Sequence, residues 1–253
     1  GELGIGVSWQ TIDDVIGREP QVNPEVWGGV FSPNEGHIEG QRYVEALAHA
    51  ASRLGVQVHE GVEVTGLELQ GHNVMGVRTN TQVYHSRHTV LAAGPWSGIA
   101  QKWLPEKLPV RPVKGQRILL RKPGFLPRCA VRTFEAYTVP WADGTVLVAA
   151  TREEGVFDEA PTAEGIKHLL SEAIASFPTL GDAVFMGARA GVRPATPDDA
   201  PIMGPLPGWE GLSVITGHEG AVTCLAQTAN GAQLFSGGVD KTVRLWNLAD
   251  GSQ

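Results

Sequence analysis

The stretch His88-Thr89-Val90-Leu91-Ala92-Ala93-Gly94-Pro95-Trp96-Ser97 decides how this chain folds. Its first part, His88–Ala93, carries β-branched and apolar residues and predicts a strand. Its second part consists of small residues and leads into a predicted helix from about Trp96 to Leu104. A strand that ends in small residues before a helix lets a ligand approach the backbone and the N-terminus of the helix closely. The stretch therefore predicts a strand, turn and helix with a ligand at the turn.

The residues before this stretch predict two helices and a small antiparallel meander. A brief helix is expected to start at Thr11–Asp14. From Gln41 to Leu54 the apolar residues follow helical spacing, and Gly55 is suited to end that helix. Short β-rich runs separated by turn-forming residues follow, at Val56–His59, Val62–Leu69 and Val74–Thr79.

The residues after it predict a broad sheet covered by a helix. The predicted strands are Arg117–Leu120, Ala136–Val139, Val146–Ala150 and, further on, Leu212–Thr216. The helix spans Ala163–Phe177 with one apolar stripe, opened by Thr162 and closed by Pro178. We expect this helix to pack on the sheet.

Composition narrows the class of protein. The 253 residues are 42% apolar and 19% charged, as in ordinary globular domains, and the net charge is −7 without clustered Lys and Arg. This pattern argues against nucleic acid and membrane partners. Cys129 and Cys224 stand far apart, so neither a disulfide framework nor a thiolate metal site is expected, and the sequence predicts a cytoplasmic protein.

Several separated motifs occur in one order along residues 8–218. They are Gly28-Gly29-Val30-Phe31 with Glu35-Gly36-His37-Ile38, Leu91–Ser97, Pro112-Val113-Lys114-Gly115-Gln116, Tyr137-Thr138-Val139-Pro140, Gly191-Val192-Arg193-Pro194 and Thr216-Gly217-His218. On these motifs the chain resembles the D-amino-acid-oxidase family of flavoenzymes, in particular its glycine oxidase branch. The resemblance implies FAD, a link to thiamine biosynthesis, and an α+β or α/β fold in which a substrate domain with a mixed β-sheet joins a Rossmann-like FAD domain.

Two departures from the family pattern stand out. The opening strand, G-x-G-x-x-G turn and helix are missing, and Gly4-Ile5-Gly6 does not replace them because no apolar strand precedes it. The last 37 or so residues resemble one WD repeat, with Gly217-His218, Asp240 and Trp246-Asn247. In the family, an Arg-Asn-Gly stretch follows the Gly-His, whereas Gly220 stands here where the Arg is expected.

These departures set the expected domain organisation. Residues 1–217 are predicted to form a truncated FAD-dependent oxidoreductase, with FAD-domain pieces near 40–100 and 187–217 and a substrate domain near 105–186. Residues 218–253 are predicted to be a single blade of the β-propeller type, which cannot close a propeller alone.

The resemblance assigns three substrate residues. Arg193 would fork onto the substrate carboxylate, a bidentate charge-assisted pair. The alternative for Arg193 is a surface pair with Asp198 or Asp199. Tyr137 would reach the same carboxylate, or else pack half-buried in its strand. Arg152 would line the substrate cavity and tune side-chain preference, or else point to solvent.

It also assigns five cofactor contacts and no catalytic side chain. Val64 would contact the adenine end of FAD, Ala93 and Gly94 would approach the cofactor through their backbone, and Gly217 and His218 would lead toward the flavin ring. The alternative for the first three is simple sheet packing. His85 and His88 would face opposite sides of a strand, so a metal site is not expected. Lys114 is expected to serve structure.

Three interpretations of function stay open on the sequence. In the first, the parent enzyme oxidises a small amino acid or secondary amine to the imine, and O₂ becomes hydrogen peroxide. In the second, the oxidase part is a non-catalytic platform and the WD repeat contacts a protein partner. In the third, two genes have been joined at a shared Gly-His. Sheet edges and helix faces that the missing segment would cover also predict self-association.

Overall fold

The computed structural model describes residues 6–98, 102–104, 107–197 and 200–216, together with the backbone of three strands nearer the C-terminus. The chain divides into two compact units. The first comprises Gly1–Glu45, Lys114–Glu153 and Asp158–Gly191, and the second comprises Ala46–Val113, Glu154–Phe157 and Val192–Gln253.

Three α-helices and two 3₁₀ turns lie among the described residues. The helices are α1 (Ile12–Arg18), α2 (Gly40–Arg53) and α3 (Ala163–Ser176), and the 3₁₀ turns are Gly94–Gly98 and Pro178–Asp182. The strands are β1 (Ser8–Gln10), β2 (Gly29–Phe31), β3 (Val64–Gln70), β4 (Asn73–Thr79), β5 (Val83–His85), β6 (Thr89–Leu91), β7 (Arg111–Arg121), β8 (Val131–Arg132), β9 (Tyr137–Pro140), β10 (Val146–Ala149), β11 (Glu153–Glu154), β12 (Val184–Ala195), β13 (Ile202–Pro205), β14 (Leu212–Thr216), β15 (Val222–Gln227), β16 (Gln233–Gly238) and β17 (Val243–Asn247).

The largest sheet has six strands in the order β11-β7-β10-β9-β8, with β12 also paired to β7. Its central ladder is antiparallel, with Val148 opposite Ile118 on one side and Thr138 on the other. In the first unit, α3 covers this sheet: Leu169, Ala173 and Phe177 are fully buried in the same core as Ile118 and Val148. The predicted helix on a broad sheet is therefore confirmed.

The ends of α3 follow from its flanking residues. The Thr162 hydroxyl accepts a hydrogen bond from the Gly165 amide at 3.2 Å, as expected for an N-cap. The helix ends at Ser176, and Pro178 comes two residues later and starts a 3₁₀ turn. Its predicted boundaries are correct to one residue.

The segment around α1 is tied into the first unit by partly buried hydrogen bonds. The Glu19 side chain, 3% exposed, accepts from the Arg128 amide at 2.6 Å. Burial, with the nearby Glu19 carboxylate, raises the pKa of the Cys129 thiol. The Asn23 amide donates to the Ser176 carbonyl at 2.8 Å. The segment around α1 is thus part of this unit's packing.

Two of the three-stranded sheets in the second unit share a core. One is the antiparallel meander β3-β4-β5, and the other has the order β13-β14-β6, in which β6 runs parallel to β14. Leu67 and Val74 of the meander are buried together with Leu212 and Val214 of β14. The predicted strands Val62–Leu69, Val74–Thr79 and Leu212–Thr216 are confirmed, and the third strand of the meander, β5, was not predicted.

One predicted strand of this unit is wrong, and one predicted helix, whose residues 99–101 lie outside the described residues, begins differently. Val56–His59 is not a strand. Gly55 adopts φ +88° and the Val56 amide bonds back to the Ala51 carbonyl at 3.0 Å, so these residues complete the helix stop instead. The predicted helix from Trp96 to Leu104 begins as a short 3₁₀ turn, Gly94–Gly98, because Gly94 in the left-handed region and Pro95 start a tight turn.

Strands β15, β16 and β17 form an antiparallel sheet in chain order. This agrees with the three short strands expected there, and the identity of the segment as a WD repeat stays a prediction. Across the described ranges, none of the helices combines the length and apolar character needed to cross a bilayer.

Candidate cofactor and substrate site

The carboxyl ends of β6 and β14 meet at one edge of their sheet. The two strands run parallel, with Leu212 opposite Thr89 and Val214 opposite Leu91. Just beyond the ends, the Thr216 hydroxyl donates to the Gly94 carbonyl at 3.1 Å. Carboxyl ends of parallel strands are where open α/β sheets bind their ligands. The predicted cofactor residues Ala93 and Gly94 therefore lie in a position suited to a ligand.

The turn after β6 offers open space beside Gly94 and a buried hydroxyl at Ser97. Gly94 has φ +51°, and no described atom lies within 4 Å of where its Cβ would stand. The Ser97 hydroxyl is fully buried and has no hydrogen-bond partner among the described residues. A buried hydroxyl without a partner indicates a missing polar ligand or water. A polar ligand such as FAD thus fits the residues present.

Sequence reasoning did not single out Thr216 and Ser97. Both belong to quoted motifs, but nothing in the motif shows which side chain turns toward the strand ends. Gly217 and His218, which follow Thr216, lie outside the described residues. Val64 starts β3 opposite Thr79 and is 40% exposed, so its backbone is at an accessible strand end.

In the first unit, Tyr137 lies on β9, and Arg152 lies in the short segment between β10 and β11. Tyr137 begins β9, half-buried between two buried neighbours, and lies opposite Ala149 in the ladder with β10. Arg152 follows three residues after Ala149, and its side chain is exposed. The structure therefore brings the Tyr137 strand beside the strand that leads to Arg152.

In the second unit, Arg193 lies half-buried near the end of β12. The strand continues into buried Ala195 and Thr196. The Arg111 guanidinium donates to the Thr196 carbonyl and pairs with Glu154 at 2.9 Å, which holds this end of the strand. The alternative partners Asp198 and Asp199 lie outside the described residues.

The two histidines considered for a metal have different surroundings. His85 is exposed on β5, whereas His88 Nε2 lies 2.9 Å from the Ser213 hydroxyl. This hydrogen bond links His88 to β14 and gives it a structural role. Within the described ranges, no three His, Cys, Asp or Glu side chains form a group that could hold a metal ion.

A buried polar cluster on β7 was not predicted beyond a structural role for Lys114. Lys114 and Gln116 are each 1% exposed. Lys114 Nζ lies 3.1 Å from an Asp158 carboxylate oxygen and 3.9 Å from one of Glu153. Burial acts to raise the pKa of Glu153, but hydrogen bonds from Gln116 and Thr151 and the charge of Lys114 leave it below its ordinary value.

A cavity of about 430 Å³ lies elsewhere in the first unit. It is lined by His37, Ile38, Glu39, Arg42, Tyr43, Trp141 and Ala142. Arg42 pairs with Glu39 at 3.0 Å. The lining includes none of the predicted site residues.

Comparison with known proteins agrees with this geometry. A family model described as FAD dependent oxidoreductase matches residues 1–228. The glycine oxidase of Pseudomonas putida is 34% identical over 201 residues, which cover 79% of this chain and 55% of that protein. The bifunctional protein ThiO/ThiG of a Nostoc species is 37% identical over 204 residues, which cover 79% of this chain and 30% of that protein.

Solved structures show the same fold. The crystal structure of glycine oxidase from Bacillus cereus superposes with a TM-score of 0.80 at 28% identity, covering 86% of this chain and 61% of that one. That of the Geobacillus kaustophilus enzyme also gives 0.80, at 29% identity. The mixed-sheet glycine oxidase fold expected from the motifs is confirmed. The chain spans about half the length of the curated glycine oxidase from Pseudomonas putida.

Proposed function

Because the chain belongs to the family of FAD-dependent oxidoreductases, we propose that it serves the oxidation of a small amino acid or secondary amine. The substrate class is glycine, sarcosine or a D-amino acid, and the products are the imine and hydrogen peroxide formed from O₂. The observation that carries this proposal is the combined agreement in sequence and fold with glycine oxidases.

We propose that FAD is the cofactor and that it contacts the turn after β6. The backbone of Ala93 and Gly94 would approach it, with Gly217 and His218 following β14 and Val64 at the adenine end. When bound, FAD supplies the two-electron acceptor for the substrate and is reoxidised by O₂. The open space beside Gly94 and the unsatisfied Ser97 hydroxyl support this placement.

The substrate would be held by side chains rather than activated by one. Arg193 would bind the carboxylate through two parallel N–H donors. The Tyr137 hydroxyl would donate to the same carboxylate, and Arg152 would set which side chains are accepted. We assign no catalytic base, because the cofactor carries the chemistry and the protein supplies orientation.

The first test is a visible absorption spectrum after incubation with FAD and desalting. We expect retained bands near roughly 370 and 450 nm, those of an oxidised flavin. A peroxide assay with glycine, sarcosine and D-amino acids follows, with L-glutamate as a control for a large substrate. A colourless protein that forms no peroxide at saturating FAD would contradict the proposal for this chain.

A second candidate function rests on the antiparallel sheet β15-β16-β17. Here the chain is a non-catalytic oxidase remnant or a gene fusion with an incomplete Rossmann-like part, and one propeller-type blade binds a protein partner. Further WD repeats encoded after Gln253 would favour this candidate, and a strand-Gly-x-Gly-x-x-Gly-helix segment encoded upstream would favour the oxidase. The cytoplasmic location expected from the sequence stays a prediction.

A further inference from the structure

Lys114 is a cation held inside the first unit by two carboxylates. It lies on β7 with its side chain 2% exposed, between Asp158 and Glu153. A buried charge is tolerated only when it is paired and hydrogen-bonded. An apolar side chain at this position would pack at a lower desolvation cost than the Lys114 ammonium. Of the two partners of Lys114, Glu153 follows β10 and Asp158 precedes α3.

Gln116 lies two residues along the same strand and bonds the same region. Its side-chain amide donates to Glu153 at 2.6 Å and to the Thr162 hydroxyl at 2.9 Å, and its carbonyl oxygen accepts from the Thr162 amide at 2.7 Å. Its backbone amide donates to the Thr151 hydroxyl at 2.9 Å. One buried glutamine thus joins Thr151, Glu153 and the N-cap of α3.

Arg152 lies between two of these anchored residues. The Thr151 hydroxyl also donates to the Glu153 carboxylate at 2.7 Å. The backbone on both sides of Arg152 is consequently tied to buried groups of β7, whereas the Arg152 side chain itself is exposed. An anchored backbone fixes the position of the Arg152 Cα and the direction of its Cα–Cβ bond, and supporting hydrogen bonds of this kind help to position a functional side chain.

We propose that Lys114 and Gln116 are positioning residues that hold Thr151–Glu153 and, through that backbone, fix where Arg152 is presented to the substrate. This inference rests on the proposed function, since it gives Arg152 its role in substrate choice. Lys114 and Gln116 act through other residues and touch no substrate themselves.

The first experiment measures amide hydrogen exchange in the full chain with Lys114→Met. We expect exchange at residues 151–153 and 158–162 to rise about tenfold, the effect of losing roughly one charged hydrogen bond from a local opening equilibrium. Exchange in β10 and in the middle of α3 should change much less. The matched control is Lys122→Met, which removes a lysine paired with Asp182 at the end of the same strand.

Unchanged exchange at 151–153, or a rise spread evenly over the first unit, would overturn the proposal. If Lys114→Met does not fold, Asp158→Asn and Glu153→Gln give the same test, because their side chains are partly exposed and leave the lysine in place. They should raise exchange in the same two segments.

The second experiment measures kcat/KM for glycine and for a larger D-amino acid, in the unaltered chain and in Lys114→Met. Displacing Arg152 should change the ratio between the two substrates about fivefold or more and act mainly on KM, as expected for loss of a contact worth roughly 1 kcal/mol. A merely structural defect lowers the active fraction equally for both substrates and leaves the ratio unchanged, which would overturn the link to Arg152. Absence of turnover in the unaltered chain would instead sink the proposed function and the specificity role with it, while the exchange data still decide whether Lys114 holds the backbone.

Discussion

Arg193 is half-buried near the end of β12, where the last strand residue, Ala195, and the following Thr196 are buried. Half-burial holds the aliphatic stem of Arg193 in place, while the N–H donors of its guanidinium can reach a ligand. We predict that Arg193→Gln lowers kcat/KM for glycine by about ten- to a hundredfold, since a charged hydrogen bond contributes roughly 1.5–3 kcal/mol. Steady-state peroxide assays measure this loss.

Arg189→Gln is the matched control for this change. Arg189 lies four residues earlier on the same strand and is exposed. Its removal should leave kcat/KM within about twofold, as for most exposed surface substitutions. Equal losses in both variants would show that Arg193 acts through the charge or stability of the strand and not through a substrate contact.

Acid should weaken the first unit through Glu153. Its pKa is lowered in the folded chain, so the ionised form stabilises the fold above the ordinary Glu pKa of about 4.3, and this contribution is lost as the pH falls through the lowered value. We predict that Glu153→Gln flattens the fall in the free energy of unfolding between neutral pH and roughly pH 3. Urea titrations at each pH test this, and Glu164→Gln, at an exposed pair with Lys167, should keep the original slope.

The site was predictable from sequence only where a motif fixes the backbone. Ala93 and Gly94 follow β6, as the strand and turn pattern predicted, and their contact with the cofactor stays a prediction. The Lys114 and Gln116 cluster was not predictable beyond a structural role, since Gln116 and Thr162 are 46 positions apart and polar residues in a strand usually face solvent. Only the crossing of β7 and the start of α3 shows that these side chains are buried.

At the scale of single elements, two helical glycines differ in whether there is room for a side chain. A Cβ on Gly165 of α3 would lie 2.3 Å from the Gln116 side chain, which is fixed by hydrogen bonds. Gly17 of α1 has no described atom within 4 Å of its Cβ position. We predict that Gly165→Ala destabilises by about 1–3 kcal/mol, as overpacking does, whereas Gly17→Ala stabilises by up to about 1 kcal/mol.

Urea unfolding of both variants measures these two changes. If Gly165→Ala were as stable as the unaltered chain, Gln116 would have to move freely, and its role in holding the segment after β10 would be contradicted.

Most elements followed from periodicity, and the failures have local causes. The apolar stripe of α3 and the continuous apolar runs of β10 and β14, which are buried along their whole length, made these elements predictable to within a residue. Val56–His59 has the β-branched composition of a strand, but Val56 and Val58 are both more than half exposed and the residues complete a helix stop instead. Composition alone does not reveal whether a partner strand is present.

For the molecule as a whole, exposed apolar surface predicts self-association. None of the residues of α2, all of which are described, is buried, and Leu47 is 44% exposed. Val90 on β6 is 51% exposed. Large exposed apolar patches mark interaction sites or aggregation hazards. We predict elution by size-exclusion chromatography as concentration-dependent oligomers.

Leu47→Glu should shift this elution toward the monomer. His49→Glu introduces the same residue two positions further along the helix, on the polar side, and should have little effect. A clean monomer of the unaltered chain at all concentrations would contradict the prediction of self-association.

The domain organisation was the property that was hardest to predict from the sequence. Each compact unit draws on segments far apart in the chain, and no composition change marks where β7 or β12 passes between them. The predicted boundaries at 105–186 and 187–217 therefore remain predictions. The fold class could be predicted, because the ordered motifs lie in both units.

The hydrogen bonds of Glu19 with Arg128 and of Asn23 with Ser176 imply an order of events during synthesis. Glu19 and Asn23 leave the ribosome long before their partners Arg128 and Ser176 are synthesised. Synthesis adds about 5–20 residues per second, so the early segment exists for on the order of ten seconds before these hydrogen bonds can form. The first unit is thus completed late, by closure of long loops, and nascent chains arrested before residue 170 should be cut readily by protease within their first 45 residues.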